Sequence, residues 1–539
     1  MYKICLFKED IIMKSNDKTL KHNSISSTSR GVIILVISGF VCKILGAFYR
    51  LPLTNIVGIE GIGVFQMVMS LYSLSLILCA GGTTIVISKF VSDARAKREY
   101  EKINLYLKYG LILSLAVAFV VGFLFLLFGK SLAIFQGSSE NNSYLTFIIV
   151  LPLGVLIASI RGVFQGYENM KPTAISQIIE QSFKFIFGLI FAIVLVKLNI
   201  YQGVFGAFLG VVLGEVFASF YLVINYIRKM KICDDKIFDK EKRHEIYLSY
   251  LSANFKVTLS ESIVPFVHAF DGVVVISRLV LTGVTTAYAT KLFGLVSGIV
   301  GAILNLPLIV SFAIHNSLLP NISFLSKCKD KKNQEKIVKL GFKGLWFLIL
   351  PSAFGIAAIC IPLYNFFYGN SINDFAEILK DLTLLSSISV ILTALMQYFN
   401  MILQAKGFFS YSLTITSIGG ALKILSTFFL CSLKEINIFG IVIGNILLAS
   451  FVCILAIIKI KKVIDFEIDY FIIFIPIVSS FIMYIFVSNI LSLLNLNNVL
   501  LIVIGIVIGG IIYIVLNIPV LSSLKKDFDV KNKKGGSYE

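Results

Sequence analysis

The run LILSLAVAFVVGFLFLLF, residues 111–128, holds eighteen consecutive residues without a charge. About 18 apolar residues are enough to cross the hydrocarbon core of a bilayer as an α-helix. Similar runs fill the 539-residue chain, in which 57% of the residues are hydrophobic and 14% are charged, whereas a soluble domain carries about 25% charged residues. The composition excludes an ordinary soluble enzyme, a disordered chain and a conventional nucleic-acid-binding domain. It predicts an all-α polytopic membrane protein.

Fourteen apolar segments are predicted to span the membrane. Their approximate ends follow from the charged and turn-forming residues that interrupt the apolar runs. The predicted spans are 31–53, 61–88, 105–128, 143–165, 172–198, 202–227, 247–281, 286–319, 339–368, 376–404, 410–433, 437–460, 469–490 and 498–520.

The basic residues indicate how the chain is oriented. Lys and Arg outnumber Asp and Glu by 48 to 30, and the excess lies in loops and tails. With the N-terminus placed inside, the inward loops are rich in Lys and Arg, as the positive-inside rule requires. We therefore expect a multi-pass protein of the cell membrane with cytoplasmic N- and C-termini. The outward loops then hold only Lys130, Lys197, Lys380 and Lys434.

An internal repeat is visible in two pairs of segments. The stretch FQGYENMKPTAISQIIEQSFKF at 164–185 resembles LQAKGFFSYSLTITSIGGALKI at 403–424, and FGAFLG at 205–210 resembles FGIVIG at 439–444. The two copies are offset by 239 and 234 residues, a difference that a loop accommodates. We interpret Arg161, Gln165 and Gln404 as helix-packing residues of this repeat motif.

The repeat predicts two lobes of six helices each. Because six is an even number, both lobes face the same way across the membrane, which is typical of transporters that rock around a central site. The predicted organisation is a cytoplasmic tail at 1–30, an N-terminal lobe at 31–229, a cytoplasmic linker at 230–246, a C-terminal lobe at 247–462, two further spans at 463–521 and a basic cytoplasmic tail at 522–539.

Basic residues inside the spans are the main functional signal. An ionisable side chain at mid-membrane costs roughly 2.5–3.5 kcal/mol, so it is expected to face a bundle interior or a water-filled cavity. An excess of bases over acids indicates an anionic headgroup as the ligand. The predicted headgroup-binding residues are Lys43, Arg50, Lys184, Lys291, Lys423 and Arg278. For Arg50, Arg278 and Lys291 there is an alternative, namely that the side chain extends to the outer membrane interface.

The seventh span carries most of the remaining polar residues. Glu261, His268, Asp271 and Arg278 fall within about 100° of the helix circumference. This polar face predicts a helix that lines a cavity. Glu180, one turn before Lys184, either belongs to the same cavity or forms a structural pair with that lysine. We assign the coupling or cavity-lining role to Glu180, Glu261, His268 and Asp271.

No cofactor, metal site or enzymatic centre is expected. The eight cysteines contain no CxxC pair and the four histidines form no HExxH motif. Asp465, Glu467 and Asp469 are interpreted as residues of a solvated loop, and no Ser/His/Asp arrangement is evident.

Three segments carry a family resemblance. Residues 39–94, which begin GFVCKILGAFYRLPLTNIVG, the motif RGVFQGYENMKPTAISQIIEQ at 161–181 and LNLPLIVSFAIHNSLLPNIS at 304–323 resemble the stage V sporulation protein B and polysaccharide biosynthesis protein family. That family belongs to the multidrug/oligosaccharidyl-lipid/polysaccharide (MOP) exporter superfamily, which includes the MurJ-type lipid II flippases.

The resemblance implies a two-lobed bundle that flips an undecaprenyl-diphosphate-linked saccharide from the inner to the outer leaflet. It also implies that bases of the first, second and eighth helices face a central cavity. Lys43 matches the first basic position, Arg50 matches the second with a one-residue shift, and Lys291 is the counterpart in the eighth helix. The second helix lacks a mid-span base and departs from the pattern. By the same analogy, the last two spans form a groove for the lipid tail.

Two other functions stay open on the sequence alone. One is a cation-coupled antiporter of drugs on the same scaffold, and the other is a non-transporting scaffold for cell-wall or spore-coat synthesis. The expected partners are a polyprenyl-diphosphate-linked saccharide, the lipid bilayer and a coupling cation, Na⁺ or H⁺, with no nucleic acid.

Overall fold

Helices make up all the regular structure in the described part of the chain. The computed structural model describes residues 20–97, 99–138, 140–229, 240–327, 331–464 and 470–521. The predicted all-α architecture is therefore confirmed. The α-helices are α1 (Leu20–Ala96), α2 (Glu101–Phe135), α3 (Phe147–Gly166), α4 (Lys171–Leu195), α5 (Ile200–Lys229), α6 (Lys240–Val280), α7 (Thr286–Phe293), α8 (Gly301–Leu304), α9 (Leu308–Lys327), α10 (Lys331–Ala358), α11 (Cys360–Tyr368), α12 (Ala376–Ala405), α13 (Phe409–Leu430), α14 (Phe439–Lys461), α15 (Tyr470–Leu493) and α16 (Asn498–Leu516).

Thirteen helices among the described residues are long and apolar enough to cross a membrane. The first, Ile37–Arg95, is 59 residues long and covers the first two predicted spans. Gly58, at φ 72° and ψ 178°, interrupts this helix with a backbone conformation that is essentially open only to glycine. The multi-pass architecture is confirmed, whereas the exact number of spans stays a prediction.

Two predicted spans are broken into shorter helices, each at a proline. The predicted span 286–319 consists of α7, a π-helix at Gly294–Val300, α8 and, after a break at Pro307, α9. The predicted span 339–368 is divided between α10 and α11. There, Pro362 has no N–H to donate to the carbonyl four residues earlier, so the helix does not continue unbroken.

The chain divides into two compact units. Unit 1 comprises the described residues up to Ser277 together with Thr285–Gly294, and unit 2 comprises Arg278–Val284 and the described residues from Leu295 onward. The division thus falls at the end of α6 and within the helical segment that follows it. The lobe boundaries inferred from the repeat stay a prediction.

In unit 1, helices α4 and α5 pack through glycines. A Cβ atom at Gly206 would lie 2.5 Å from the Phe191 carbonyl oxygen, and one at Gly210 would lie 2.2 Å from the Gly188 Cα atom. Such small residues spaced four apart let two helix backbones touch, which is a common way of joining helices in membranes.

The second copy of this motif makes the same kind of contact in unit 2. Gly440 and Gly444 correspond to Gly206 and Gly210, and they bring α14 against α13. A Cβ atom at Gly444 would lie 2.7 Å from the Thr427 hydroxyl oxygen. The repeated sequence motif therefore corresponds to a repeated packing contact, while the six-helix repeat as a whole stays a prediction.

The repeated glutamines mark a second shared feature, the turn that ends a helix. The carbonyl of Gln165 accepts the N–H of Glu168, and that of Gln404 accepts the N–H of Gly407, each at 2.9 Å. Glu168 and Gly407 both have positive φ, 60° and 86°. Glycine adopts this conformation freely, whereas Glu168 does so at an energetic cost.

The last two helices pack on α10 and α11 within unit 2. Met483 and Val487 of α15 and Tyr513 of α16 form a buried cluster with Ile359. The Tyr513 hydroxyl donates to the Phe347 carbonyl at 2.9 Å. The outer side of α16 exposes apolar residues, as expected for a lipid-facing helix, among them Ile506, Ile511 and Ile514.

Some predicted features lie outside the described residues. They are most of the N-terminal tail, residues 230–239 of the linker, the acidic trio Asp465, Glu467 and Asp469, and the basic tail 522–539.

Gly210→Ala is expected to lower the free energy of unfolding by about 1–3 kcal/mol, the usual cost of overpacking, because its Cβ meets backbone atoms of α4. Thermal unfolding of the purified protein in detergent measures the effect. Gly510→Ala on α16 is the matched control, since its Cβ meets nothing within 4 Å. Equal stability of both variants would contradict the close packing.

Candidate functional site

An ion pair between α3 and α4 lies at the centre of the polar network in unit 1. The Arg161 Nη2 atom lies 2.9 Å from the Glu180 Oε2 atom, and the two side chains are 15% and 22% exposed. The Arg161 Nε–H donates to the Ser176 hydroxyl at 2.9 Å. Ser176 and Glu180 are one turn apart on α4, so a single guanidinium binds both. The ion pair of Glu180 is thus made with α3 rather than within its own helix.

Lys184, one turn beyond Glu180, approaches the first span. Its Nζ atom lies 5.5 Å from the centroid of the Tyr49 ring, which is within the range of a cation–π interaction. The Tyr49 hydroxyl donates to the Ala207 carbonyl at 3.4 Å, which fixes the ring between α1 and α5. Arg50, the next residue on α1, interacts electrostatically with Lys184. Two predicted headgroup-binding bases therefore lie close together.

The other predicted bases of unit 1 lie at separate places along its helices. Lys43 is exposed and lies two turns before Arg50 on α1. Lys291 is half-buried in the last turn of α7. Their assignment to one binding site stays a prediction.

A second carboxylate, Glu215 on α5, belongs to the same network. It is 3% exposed and accepts a hydrogen bond from the Tyr72 hydroxyl at 2.9 Å. Sequence reasoning did not include Glu215 or Tyr72 in the site. The available signal was that Glu215 is the single charged residue in the apolar run 204–224, which is long enough to be a membrane span.

Helix α6 does not present its polar residues uniformly. Asp271 is buried, whereas Glu261 and His268 are exposed. The helix lies against the second half of α1, where the Gly82 N–H donates to the Thr258 hydroxyl at 3.0 Å. The predicted cavity face of α6 is therefore partly a packing face.

The predicted bases of unit 2 are held by α13. Lys423 is 1% exposed, and its Cγ atom would lie 3.2 Å from a Cβ at Gly444 of α14. The Arg278 guanidinium carbon lies 4.2 Å from the centroid of the Phe428 ring. Lys423 and Phe428 are on the same helix, so α13 positions both predicted cations of this unit.

The turn after Gln404 is tied to two other helices by a polar chain. Lys406 donates to the Gln334 side-chain oxygen, and the Gln334 amide donates to the Ser326 hydroxyl at 2.6 Å. Burial lowers the pKa of the Lys406 amine, an effect that nearby Lys331 reinforces and Glu335 opposes. The helix-packing role of the repeat motif stays a prediction.

Comparisons with known proteins agree with this architecture. The family model described as polysaccharide biosynthesis protein matches residues 28–326. Stage V sporulation protein B of Bacillus subtilis (strain 168) is 26% identical over 298 residues, which are 54% of this chain and 58% of that protein. Lipid II flippase MurJ of the same organism is 26% identical over 369 residues, covering 64% and 66%. The chain thus matches about three fifths of the length of these relatives.

Solved structures show the same fold. A structure of lipid II flippase MurJ in an inward closed conformation has a TM-score of 0.70 at 15% identity, covering 91% of this chain and 99% of that one. An inward-facing multidrug resistance MATE family transporter of the MOP superfamily has a TM-score of 0.63 at 16% identity, covering 78% and 95%. The resemblance inferred from the sequence motifs is confirmed.

Replacing Arg161 and Glu180 by Ala, singly and together, tests the central ion pair. A double-mutant cycle is expected to give a coupling free energy of about 0.5–3 kcal/mol, because the two groups share one network. The measurement is thermal unfolding in detergent. The same cycle on Lys102 and Glu99, an ion pair whose side chains are 27% and 41% exposed, is the control and is expected to give at most about 1 kcal/mol. A coupling no larger than the control value would contradict a structural role for the pair.

Proposed function

Because this chain belongs to the polysaccharide biosynthesis protein family, we propose that it is a flippase for a polyprenyl-diphosphate-linked saccharide. The substrate is a lipid II-like cell-wall precursor on an undecaprenyl carrier, moved from the inner to the outer leaflet. The similarity to lipid II flippase MurJ in sequence and to its solved structure in fold supports this proposal. The partners are then the lipid-linked saccharide and the bilayer, and the protein acts without a cofactor.

The observation that carries the proposal is the approach of Arg50 on α1 to Lys184 on α4. Their charges interact, and the Lys184 amine also lies against the Tyr49 ring. Lys184 also interacts electrostatically with Glu180 and Glu215, but Glu180 is already paired with Arg161, so a mobile anion can still bind beside the two bases. A diphosphate satisfies them well, because hydrogen bonds between charged groups are short and strong.

The remaining predicted bases complete the proposed binding site. They would hold the diphosphate or the saccharide as the site is exposed first to one leaflet and then to the other, while the polyprenyl tail stays in lipid. Lys43 and Lys291 belong to unit 1, and Lys423 and Arg278 belong to unit 2. Alternating access is the usual mechanism of transporters built of two repeats.

The membrane potential favours transport in the proposed direction. Each elementary charge that crosses the membrane gains roughly 2.3 kcal/mol per 100 mV. A diphosphate carrying about two negative charges is therefore stabilised by about 4–5 kcal/mol per 100 mV when it moves outward, away from the negative interior. A coupling cation can add to this gain, and Glu261, His268 and Asp271 stay the predicted residues for its binding, together with Glu180.

A cation-coupled drug antiporter is the second candidate, since a MATE family transporter shares the fold. The excess of bases over acids among the predicted site residues argues against a cationic substrate. A scaffold without transport activity would tolerate changes of these charges.

Arg50→Gln and Lys184→Gln are each expected to slow flipping roughly 10- to 100-fold, since a hydrogen bond to a charged group is worth about 1.5–3 kcal/mol. Flipping is measured in proteoliposomes as the protection of a fluorescent undecaprenyl-diphosphate saccharide from a membrane-impermeant quencher. The exposed Lys197 is the control, and Lys197→Gln is expected to flip at the wild-type rate. Undiminished flipping by both site variants would refute the binding site, and efflux of cationic dyes by the wild type instead would favour the antiporter.

Depletion of the protein in cells is expected to leave its lipid-linked saccharide in the inner leaflet, because synthesis continues while export stops. Extraction and mass spectrometry of the lipid-linked precursors, combined with an assay of headgroup accessibility on intact cells, identify the species that accumulates. No accumulation of any such precursor would count against the flippase, and re-expression of the wild type is the control.

A further inference from the structure

Glu215 is the most deeply buried carboxylate of the polar network in unit 1. Its side chain lies near the middle of α5 and is 3% exposed. The neighbouring Gly214 packs directly against α4, where a Cβ atom would lie 2.6 Å from the Glu180 carbonyl oxygen. At this level the two helix backbones are in contact. The carboxylate is therefore enclosed by protein.

The hydrogen bonding of this carboxyl group is incomplete for an anion. Its Oε1 atom accepts from the Tyr72 hydroxyl at 2.9 Å, and Tyr72 is itself 7% exposed. Its Oε2 atom is buried and has no hydrogen-bond partner in the described structure. An ionised carboxylate offers about four acceptor sites. Leaving most of them unfilled in a low-dielectric interior is costly, and binding of a proton removes that cost.

The charged neighbours of Glu215 come from the helices packed around α5. Glu180 and Lys184 of α4 and Arg161 of α3 all interact electrostatically with its carboxyl group. Tyr72 of α1 contributes the hydroxyl group that donates to the Glu215 carboxyl group. The short helix Ser143–Thr146, before α3, carries Tyr144, whose hydroxyl donates to Gln136 rather than to Glu215.

The charges of Glu180 and Arg161 are already matched to each other. Their carboxylate and guanidinium are joined at 2.9 Å, and the other Glu180 oxygen accepts from Gln181 at 3.1 Å. Glu180 repels a negative charge on Glu215, whereas Lys184 lies against the Tyr49 ring. Glu215 is therefore the carboxyl group of this network whose charge is least compensated by hydrogen bonds.

We propose that Glu215 is a proton-binding site of unit 1, held by a hydrogen bond from Tyr72 on α1 and lying near the Arg161–Glu180 pair. A proton delivered by water bonds to the buried carboxylate to form the neutral acid, and it returns to water when the site opens. The Tyr72 hydroxyl continues to donate to the other oxygen in both states. The proton is then the coupling cation of transport. This coupling role rests on the proposed function, whereas proton binding by Glu215 is independent of it.

Infrared difference spectroscopy of the purified full-length protein in nanodiscs tests the site. Lowering the pH is expected to produce the carbonyl-stretch band of a protonated carboxylic acid in the wild type, and Glu215→Gln is expected to lose one such band. Tyr72→Phe keeps the carboxyl group but removes its donor, so the band is expected to shift to higher frequency. This second variant keeps the test decisive if Glu215→Gln fails to fold.

Glu60 provides a matched control. It also accepts a hydrogen bond from a tyrosine, Tyr201, at 3.1 Å, but it is only half-buried. Glu60→Gln is expected to leave the band assigned to Glu215 in place. An unchanged band in Glu215→Gln, together with an unshifted band in Tyr72→Phe, would overturn the proposal.

The coupling role is tested by flipping under an imposed pH gradient in proteoliposomes. The wild type and Glu60→Gln are expected to change rate several-fold when the gradient is applied, and Glu215→Gln is expected not to respond. A response of Glu215→Gln equal to that of the wild type, or one that follows a sodium gradient instead, would overturn the coupling role. Failure of the wild type to flip any lipid-linked saccharide would refute the proposed function, while the infrared result would still decide the proton site.

Discussion

The cost of a charge in hydrocarbon is the constraint on which the polar part of this structure depends. Several charged groups of unit 1 that lie within the apolar helices are met by groups from other helices. Arg161 of α3 binds Glu180 of α4, Tyr72 of α1 donates to Glu215 of α5, and Lys184 lies against the Tyr49 ring. Because these contacts join four different helices, the network that lowers the cost of the charges also fixes how the helices pack.

Close approach of helix backbones makes such contacts possible. Gly214 precedes Glu215 and touches the backbone of α4 beside Glu180, so the two carboxyl groups lie at the same level. Gly188 leaves room for Tyr49, since a Cβ atom there would lie 2.7 Å from the tyrosine hydroxyl oxygen. The glycines that hold α4 against α5 thus also place Tyr49 where Lys184 can reach it. Packing and electrostatics in this unit are consequently inseparable.

The sequence predicted the helical class and the repeated motifs well, because both depend on neighbouring residues. The glycines of FGAFLG and FGIVIG, and the turns after Gln165 and Gln404, occupy matching places in the two units. Partner choice was less predictable. Glu180 lies one turn from Lys184, which suggested a pair within one helix, but the structure places Arg161 nearer in space. Glu215 was left out of the predicted site, since nothing in its local sequence reveals that Tyr72 faces it.

By itself the sequence determined that this chain forms apolar helices long enough for a membrane and which family it resembles. These properties are set by hydropathy and backbone chemistry along a contiguous stretch. Only the tertiary structure decided which charges meet. That depends on how each helix is rotated and which neighbour it packs against, and a difference of one turn or of 100° about the axis exchanges one partner for another.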